Sequence, residues 1–344
     1  MLSTLQTLID ERNTKDQATQ LKKFADIYYS GAPVDEVLAR AVDDLYGAAL
    51  SCWQLIQERE LGVPKVRVFN PDHENHGWQS LHTVIEIVFE DMPFLVDSIR
   101  MQLNSRQMSL HAIHYCAIHA TRDKDNKLNV TSDWVKPGKS KTTEAIIYIE
   151  VDHHSDKQLM AELSAELEEV LLEVQRCVRD FPSMLQKAKD AALEIKKDCG
   201  SNDSVECEEA SAFMNWVASN HFTFLAYDEF TVNATKTAKT VSRDSSKDLG
   251  TFRNIDTQQT EVRLKDLEPE IQEFITGSEL ISFMKSGNRS RIHRPAYPDY
   301  IVVKRFDKKG NVIGGMRFMG LFTSIVYIET PNNIPIIRRK LQSI

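Results

Sequence analysis

The sequence predicts an α+β chain built from more than one domain. Three observations carry this. Residues 1–60 hold apolar side chains at helical spacing. Residues 82–106 read as a strand, a tight turn and a helix, and the stretch after them repeats the scheme of sheet plus covering helix. A polar run rich in Gly, Asn and Ser, residues 198–204, then precedes a second half dominated by strands. At 344 residues the chain is also too long for one typical domain.

The first helix places Leu2, Leu5, Leu8 and Ile9 on one face, and the second does the same with Leu21, Phe24, Ala25 and Tyr28. Gly31-Ala32-Pro33 ends that second helix. A third is expected from Asp35 without interruption to Ile56, closed by Gly62 and Pro64. Residues 65–70 alternate as a strand, residues 72–80 are polar and read as a loop, and residues 83–89 form a β-rich run expected to be buried on both faces. Leu95, Ile99 and Leu103 make one helical stripe. Pro93 suits the first turn of that helix, and Asp91 is placed to cap it.

Further strands are expected at 110–121, 128–130 and 144–151, with a loop at 137–141. Ser155 and Gln158 have the spacing of a capping box and open a helix that Pro182 is expected to close. The order strand, helix, strand, strand, helix lacks one strand of a βαββαβ, ferredoxin-like unit. A second helix, 183–197, leads to the polar run, where the domain boundary is placed. Beyond it come a helix at 206–220, an aromatic strand at 221–232, a weakly patterned stretch to 260, a short helix at 267–276 and a strand at 280–284. Strands at 300–306 and 311–328 are joined by a hairpin turn ending in Gly310.

The formal charge of −8 argues against a general nucleic-acid or membrane-surface binder. No apolar run approaches the ~20 residues that span a bilayer, and the N-terminus does not read as a signal peptide. The five cysteines are odd in number and form no CxxC pair, which predicts reduced thiols in a cytoplasmic protein and no zinc site. His73, His76, His82, His111, His114 and His119 lack metal spacing, since His111 and His114 on one strand point to opposite faces.

No nucleophile elbow, P-loop or dinucleotide fingerprint occurs, so no catalytic residue and no cofactor is assigned to this chain. Two candidate binding features remain. The basic loop Arg289, Arg291, His293 and Arg294 could hold a phosphate or carboxylate. The turn Asp91, Met92, Pro93 and Phe94, with Asp97 and Ser98 on the helix it enters, could present backbone N–H groups to an effector carboxylate.

The motif Asp91-x-Pro93-x-Leu95-Val96 between strand and helix resembles the opening of an ACT domain, an amino-acid-sensing module. Longer segments resemble the N-terminal region of the large bacterial NAD-specific glutamate dehydrogenases. They are Asp43-Asp44-Leu45-Tyr46-Gly47-Ala48-Ala49, Lys65-Val66-Arg67-Val68 with Asn70-Pro71, and Asp91-Met92-Pro93-Phe94-Leu95-Val96-Asp97-Ser98. His293-Arg294-Pro295-Ala296-Tyr297, Lys304-Arg305-Phe306-Asp307 and residues 318–324 complete the set.

The resemblance implies helices over 1–62, an ACT-like domain over 63–182, a helical linker over 183–205 and a PAS-like antiparallel-sheet domain over 206–344. It also implies a fragment. This chain would be the non-catalytic regulatory and assembly segment of an enzyme that oxidatively deaminates L-glutamate to 2-oxoglutarate and ammonia. NAD would bind in the downstream catalytic domain of the same chain. The implied partners are that domain, further copies in a homo-oligomer and an amino-acid effector. The alternative is a stand-alone amino-acid-sensing module. One departure stands out: amino-acid-binding ACT domains usually carry Gly where this chain has Phe94. A Phe is expected to crowd a ligand there and to resist positive φ.

Overall fold

The computed structural model describes residues 2–130, 143–197, 203–234, 238–253 and 261–342. The expected loop at 137–141 and most of the polar run 198–204 lie outside these residues. The chain divides into two compact units, 1–172 and 173–344.

In the first unit, α1 (Leu2–Arg12), α2 (Lys15–Ser30), α3 (Val34–Leu38) and α4 (Val42–Ile56) precede β1 (Lys65–Phe69) and the short α5 (His73–His76). Then follow β2 (Thr83–Glu90), α6 (Leu95–Ser105), β3 (Leu110–Arg122), β4 (Leu128–Val130), β5 (Thr143–Val151) and α7 (Lys157–Lys197). The sheet is antiparallel with the order β1-β2-β5-β3-β4. Strands β2 and β3 thus flank β5, the split βαβ arrangement anticipated from the element order. The strand that would complete it does not come after the helix. Its place beside β2 is filled by β1, paired from Lys65↔Val88 to Phe69↔Val84.

One sheet face, carrying Val84, Val88, Ile146 and Tyr148, shares a core with Leu5, Leu21, Phe24, Leu45 and Ile56 of the N-terminal helices. Alternation sends Ile85, Ile87 and Phe89 to the other face. Both sets are buried, as expected for this strand. Ser164 of α7 reaches the Val66 carbonyl at 3.4 Å, and Glu166 of α7 bonds Arg106 and Gln102 at the end of α6.

Several local expectations are corrected. The helix expected over 35–56 breaks between α3 and α4, where Arg40 turns inward to Glu150 (2.6 Å) and the Tyr148 hydroxyl (3.1 Å). The polar loop contains α5, capped by Asp72 through the Asn75 N–H at 2.7 Å. The cap of α7 is Asp156, which accepts from the Gln158 N–H at 2.8 Å, and not Ser155. Pro182 does not end α7. It lies on the exposed face, where water can satisfy the carbonyl its ring frees. The buried stripe continues past it through Met184, Ala188, Ala191 and Ile195. Cys52, Cys116 and Cys177 are buried free thiols, but Cys207 is disulfide-bonded, against the reading of all five as reduced.

The second unit takes the C-terminal part of α7 and adds α8 (Ser204–Trp216), β6 (Phe222–Ala234), β7 (Lys239–Arg243), β8 (Leu249–Gly250) and β9 (Glu261–Arg263). It ends with α9 (Pro269–Thr276), β10 (Ile281–Lys285), β11 (Asp299–Phe306), β12 (Val312–Phe322), α10 (Ser324–Ile328) and α11 (Ile337–Gln342). Its sheet has the order β10-β11-β12-β6-β7-β9, with β8 pairing β6. One face packs Phe224, Ile301, Val303 and Phe318 with Met184, Ala188 and Phe213 of the helices. The other carries Phe230, Val232 and Val302 beneath Phe274 of α9. The strand expected over 311–328 stops at Phe322. The ladder with β6 ends at Phe322↔Phe222, and without a partner strand the chain turns into α10.

Candidate functional site

The turn after β2 is anchored at its start by a sheet bond. The Asp91 N–H donates to the Thr143 carbonyl at 3.0 Å, extending the β2–β5 ladder by one residue. The Asp91 carboxylate does not cap α6. It accepts the Tyr115 hydroxyl of β3 at 2.6 Å. Burial, reinforced by that carboxylate, holds the Tyr115 hydroxyl above its ordinary pKa. Helix α6 starts at Leu95, two residues beyond Pro93, and its cap position is Phe94.

Phe94 has φ 74° and ψ 0°. The turn therefore keeps the left-handed conformation that glycine favours, although a phenylalanine occupies it, contrary to the expectation that Phe would resist positive φ. Of the other named residues, Met92 is half-buried and Pro93 exposed. Asp97 is exposed while Ser98 is fully buried, so these neighbours do not face one space. The Ser98 N–H closes the first helical turn on the Phe94 carbonyl at 3.0 Å.

The basic loop disperses its cations. Arg289 lies over the Tyr297 ring at 5.4 Å. Arg291 approaches Glu173 at 3.4 Å. Arg294 donates to the Phe322 carbonyl. His293 sits at φ 70°. Of the histidines, His82 stacks on His111 with ring centroids 4.2 Å apart, and the others take separate partners. His111 reaches Asp152 at 2.7 Å and His114 reaches Glu36 at 2.8 Å. Among the described residues, no group of three His, Cys, Asp or Glu could hold a metal ion. No helix among them is long and apolar enough to cross a membrane.

Charge in both units is concentrated in buried pairs that sequence reasoning passed over. Glu144 on β5 accepts from Arg59 (2.7 Å) and twice from Arg122 (2.7 and 2.7 Å). Glu86 on β2 pairs with Arg67, yet burial still raises its carboxyl above the ordinary value. Asp228 on β6 pairs with Arg317 (Nε, 3.0 Å) and Arg243 (3.2 Å). Glu229 accepts from Tyr227 (2.7 Å), Lys247 (3.0 Å) and Arg305 (3.1 Å). Burial pushes its carboxyl up, but these donors prevail and bring it down to about 2. The available signal was a lone acid within an apolar strand, as in Thr83-Val84-Ile85-Glu86-Ile87. A charge there must be paired.

A family profile described as glutamate dehydrogenase, ACT1 domain, matches residues 24–167. The chain is 41% identical to an NAD-specific glutamate dehydrogenase of Halomonas elongata over 346 aligned residues, 100% of this chain and 21% of that protein. It is 36% identical to an NAD-specific glutamate dehydrogenase of Pseudomonas aeruginosa over 340 residues, 99% of this chain and 21% of that protein. The chain thus spans about a fifth of the length of these curated relatives. Residues 24–167 thus resemble the ACT1 domain of glutamate dehydrogenase, and the chain as a whole is similar to the N-terminal region of large NAD-specific glutamate dehydrogenases.

Proposed function

We propose that this chain is the non-catalytic regulatory and assembly segment of an NAD-dependent glutamate dehydrogenase. The parent enzyme deaminates L-glutamate oxidatively to 2-oxoglutarate and ammonia in the cytoplasm, with NAD held in a catalytic domain elsewhere in the same polypeptide. The observation that carries this reading is the match of essentially the whole chain to one fifth of two NAD-specific relatives, with an ACT1 domain inside it. The paired, buried charges support it, because a group consumed in a structural pair is not poised for proton transfer. In this reading 63–182 is the ACT-like segment and 206–344 the PAS-like one. The strand order β7-β6-β12-β11-β10 supports the second assignment. The direct test is an assay of the purified 344-residue chain with glutamate and NAD. No NADH should form, and turnover would refute the proposal.

Amino-acid sensing at Asp91, Met92, Pro93, Phe94, Asp97 and Ser98 is the finer proposal, and anion capture at Arg289, Arg291, His293 and Arg294 a second. The left-handed backbone at Phe94 supports the first, since the turn has the shape a glycine would give it. Melting curves against the twenty amino acids test it. A rise with one or two of them that Asp97→Ala removes would uphold sensing, and a flat response would end it. Self-association through the sheet edges is checked by sedimentation over a range of concentrations, where a strict monomer would exclude it.

A further inference from the structure

The end of α8 and the segment after β12 meet in a corner that neither the turn nor the basic loop forms. Helix α8 closes in one π-helical turn, Val217–His221, whose Ser219 and Asn220 depart from helical geometry, with Asn220 at φ 65°. Such turns recur at functional positions. This one folds the His221 ring back onto the last residue of α8. The imidazole stacks on the Trp216 indole, ring centroids 4.3 Å apart and 15° from parallel. Glu329, the residue after α10, accepts the Trp216 Nε1–H at 3.0 Å.

The two ring nitrogens of His221 face different acceptors. Nδ1 lies 2.7 Å from the Trp216 carbonyl, which can only accept, so Nδ1 carries a proton. Nε2 then holds a lone pair in the neutral ring and a proton in the charged one. It lies 3.4 Å from Oε2 of Glu329. A lone pair aimed at a carboxylate oxygen repels it, whereas an N–H attracts it. The stacked indole face also favours the cation. The two side chains are only 16% and 20% exposed, so salt and water screen this difference weakly. Among the described residues Glu329 is the one acid paired with His221. Thr323, whose N–H reaches the His221 carbonyl at 2.9 Å, brings no charge, and neither does Phe322 of β12 against Trp216. Arg294 enters this corner by donating to the Phe322 carbonyl, and its charge is the same whichever form His221 takes.

The segment that Glu329 holds is poised to respond. Helix α10 has five residues, too few to keep its shape alone. Val326 packs on the core, while Ile325, Tyr327 and Ile328 are exposed. Little apolar burial therefore seats α10. Farther on, Arg338 grips Glu209 of α8 at 3.0, 3.0 and 2.7 Å. Those bonds hold the Glu209 carboxyl below its ordinary range, so this second anchor stays charged at neutral pH. We propose that His221 is a proton-operated latch: as imidazolium it grips Glu329 and seats α10 against α8, and as neutral imidazole it releases α10 and opens the edge of Trp216. The contribution is present in mild acid and is lost as pH rises through the range in which histidine gives up its charge. The latch lies within the second unit and does not rest on the regulatory reading above.

Hydrogen exchange of the full chain, expressed as protection relative to free peptide at the same pH, tests this. Peptides covering 324–330 should be about tenfold better protected at about pH 5.5 than at about pH 8.5, and those covering 337–342 should be unchanged. The ¹⁵N-labelled indole signal of Trp216, assigned with Trp216→Phe, should move over the same interval. His221→Gln cannot titrate, and Glu329→Gln removes the charge that protonation answers. Either variant, provided it keeps the parent melting temperature, should abolish both pH dependences. Equal protection at the two pH values would overturn the proposal. So would better protection at the higher pH, a dependence surviving either folded variant, or an equal loss over 337–342, which would mean general loosening.

Discussion

Replacing Glu144 by Gln should destabilise the first unit more than almost any other single polar change. The carboxylate takes three charged hydrogen bonds, all at 2.7 Å, from Arg59 and Arg122, and the two guanidiniums are each 1% exposed. Gln retains the shape but leaves two buried cations facing a neutral amide. Removing one partner of a buried ion pair costs about 3–5 kcal/mol. The lower end applies here, because Arg59 keeps the Glu60 and Val63 carbonyls and Arg122 those of Ile56 and Asn126. Native-state hydrogen exchange, read on peptides covering β3 and β5, isolates the unit concerned. A loss of about 3 kcal/mol appears as roughly two orders of magnitude faster exchange.

The pH dependence supplies a second check. Burial raises the Glu144 carboxyl, but the hydrogen bonds of Arg122 and Arg59 outweigh it and the net direction is down. A carboxyl lowered in the folded state stabilises fully above its unfolded pKa of about 4.3, and that contribution fades as pH falls through the folded value. The gap between parent and Glu144→Gln should therefore be constant at neutral pH and narrow in acid. A gap under about 1 kcal/mol, or one that does not narrow, would refute the argument, since an exposed pair is worth no more than that.

The remaining predictions are smaller. In Gly47→Ala an added Cβ would lie 2.4 Å from Cβ of the fully buried Trp78. Overpacking of roughly 1–3 kcal/mol should then outweigh the helix-propensity gain of about 1, and the melting temperature should fall where propensity alone would raise it. Asp156→Ala should cost about 1 kcal/mol in urea unfolding as a lost helix cap, while Ser155→Ala should cost nothing measurable. Glu229→Gln should flatten the acid limb of the second unit's stability between about 4.3 and about 2, the interval set by its lowered carboxyl, as followed by exchange in β6 peptides.

Strands and stripes were legible wherever the sequence repeats a local pattern. β2, β3, β5 and β12 begin within a residue or two of their expected starts, because β-branched and aromatic runs bury themselves in any register that covers them. The misreadings share a different cause. The break between α3 and α4 exists because Arg40 has partners over a hundred residues away, and no local periodicity records that. Pro182 read as a stop because its cost is local, whereas the apolar positions that carry α7 past it are spread over both sides. Residues 324–328 read as strand by composition, but a strand needs a neighbour and the ladder has ended. At the candidate turn, residue types signalled a cap at Asp91, and the Tyr115 hydroxyl that claims it comes from another strand. A cavity between α9 and the second sheet is assembled from six strands and a helix, so no single motif announced it.

The filling of the first sheet's edge by β1 has a consequence for how the chain is made. In an arrangement that awaits a returning strand, a ribosome-bound chain must hold its sheet open until that strand emerges. Here the ladder β1-β2-β5-β3 is complete once Val151 has been synthesised, and α7 needs only to cover it. The first unit can settle while the second is still being translated, leaving no unpaired β2 edge for another nascent chain to find. The same fact sets a limit for expression work. A fragment cut to begin after residue 70 would keep the strand–turn–helix but lose the strand that shields it.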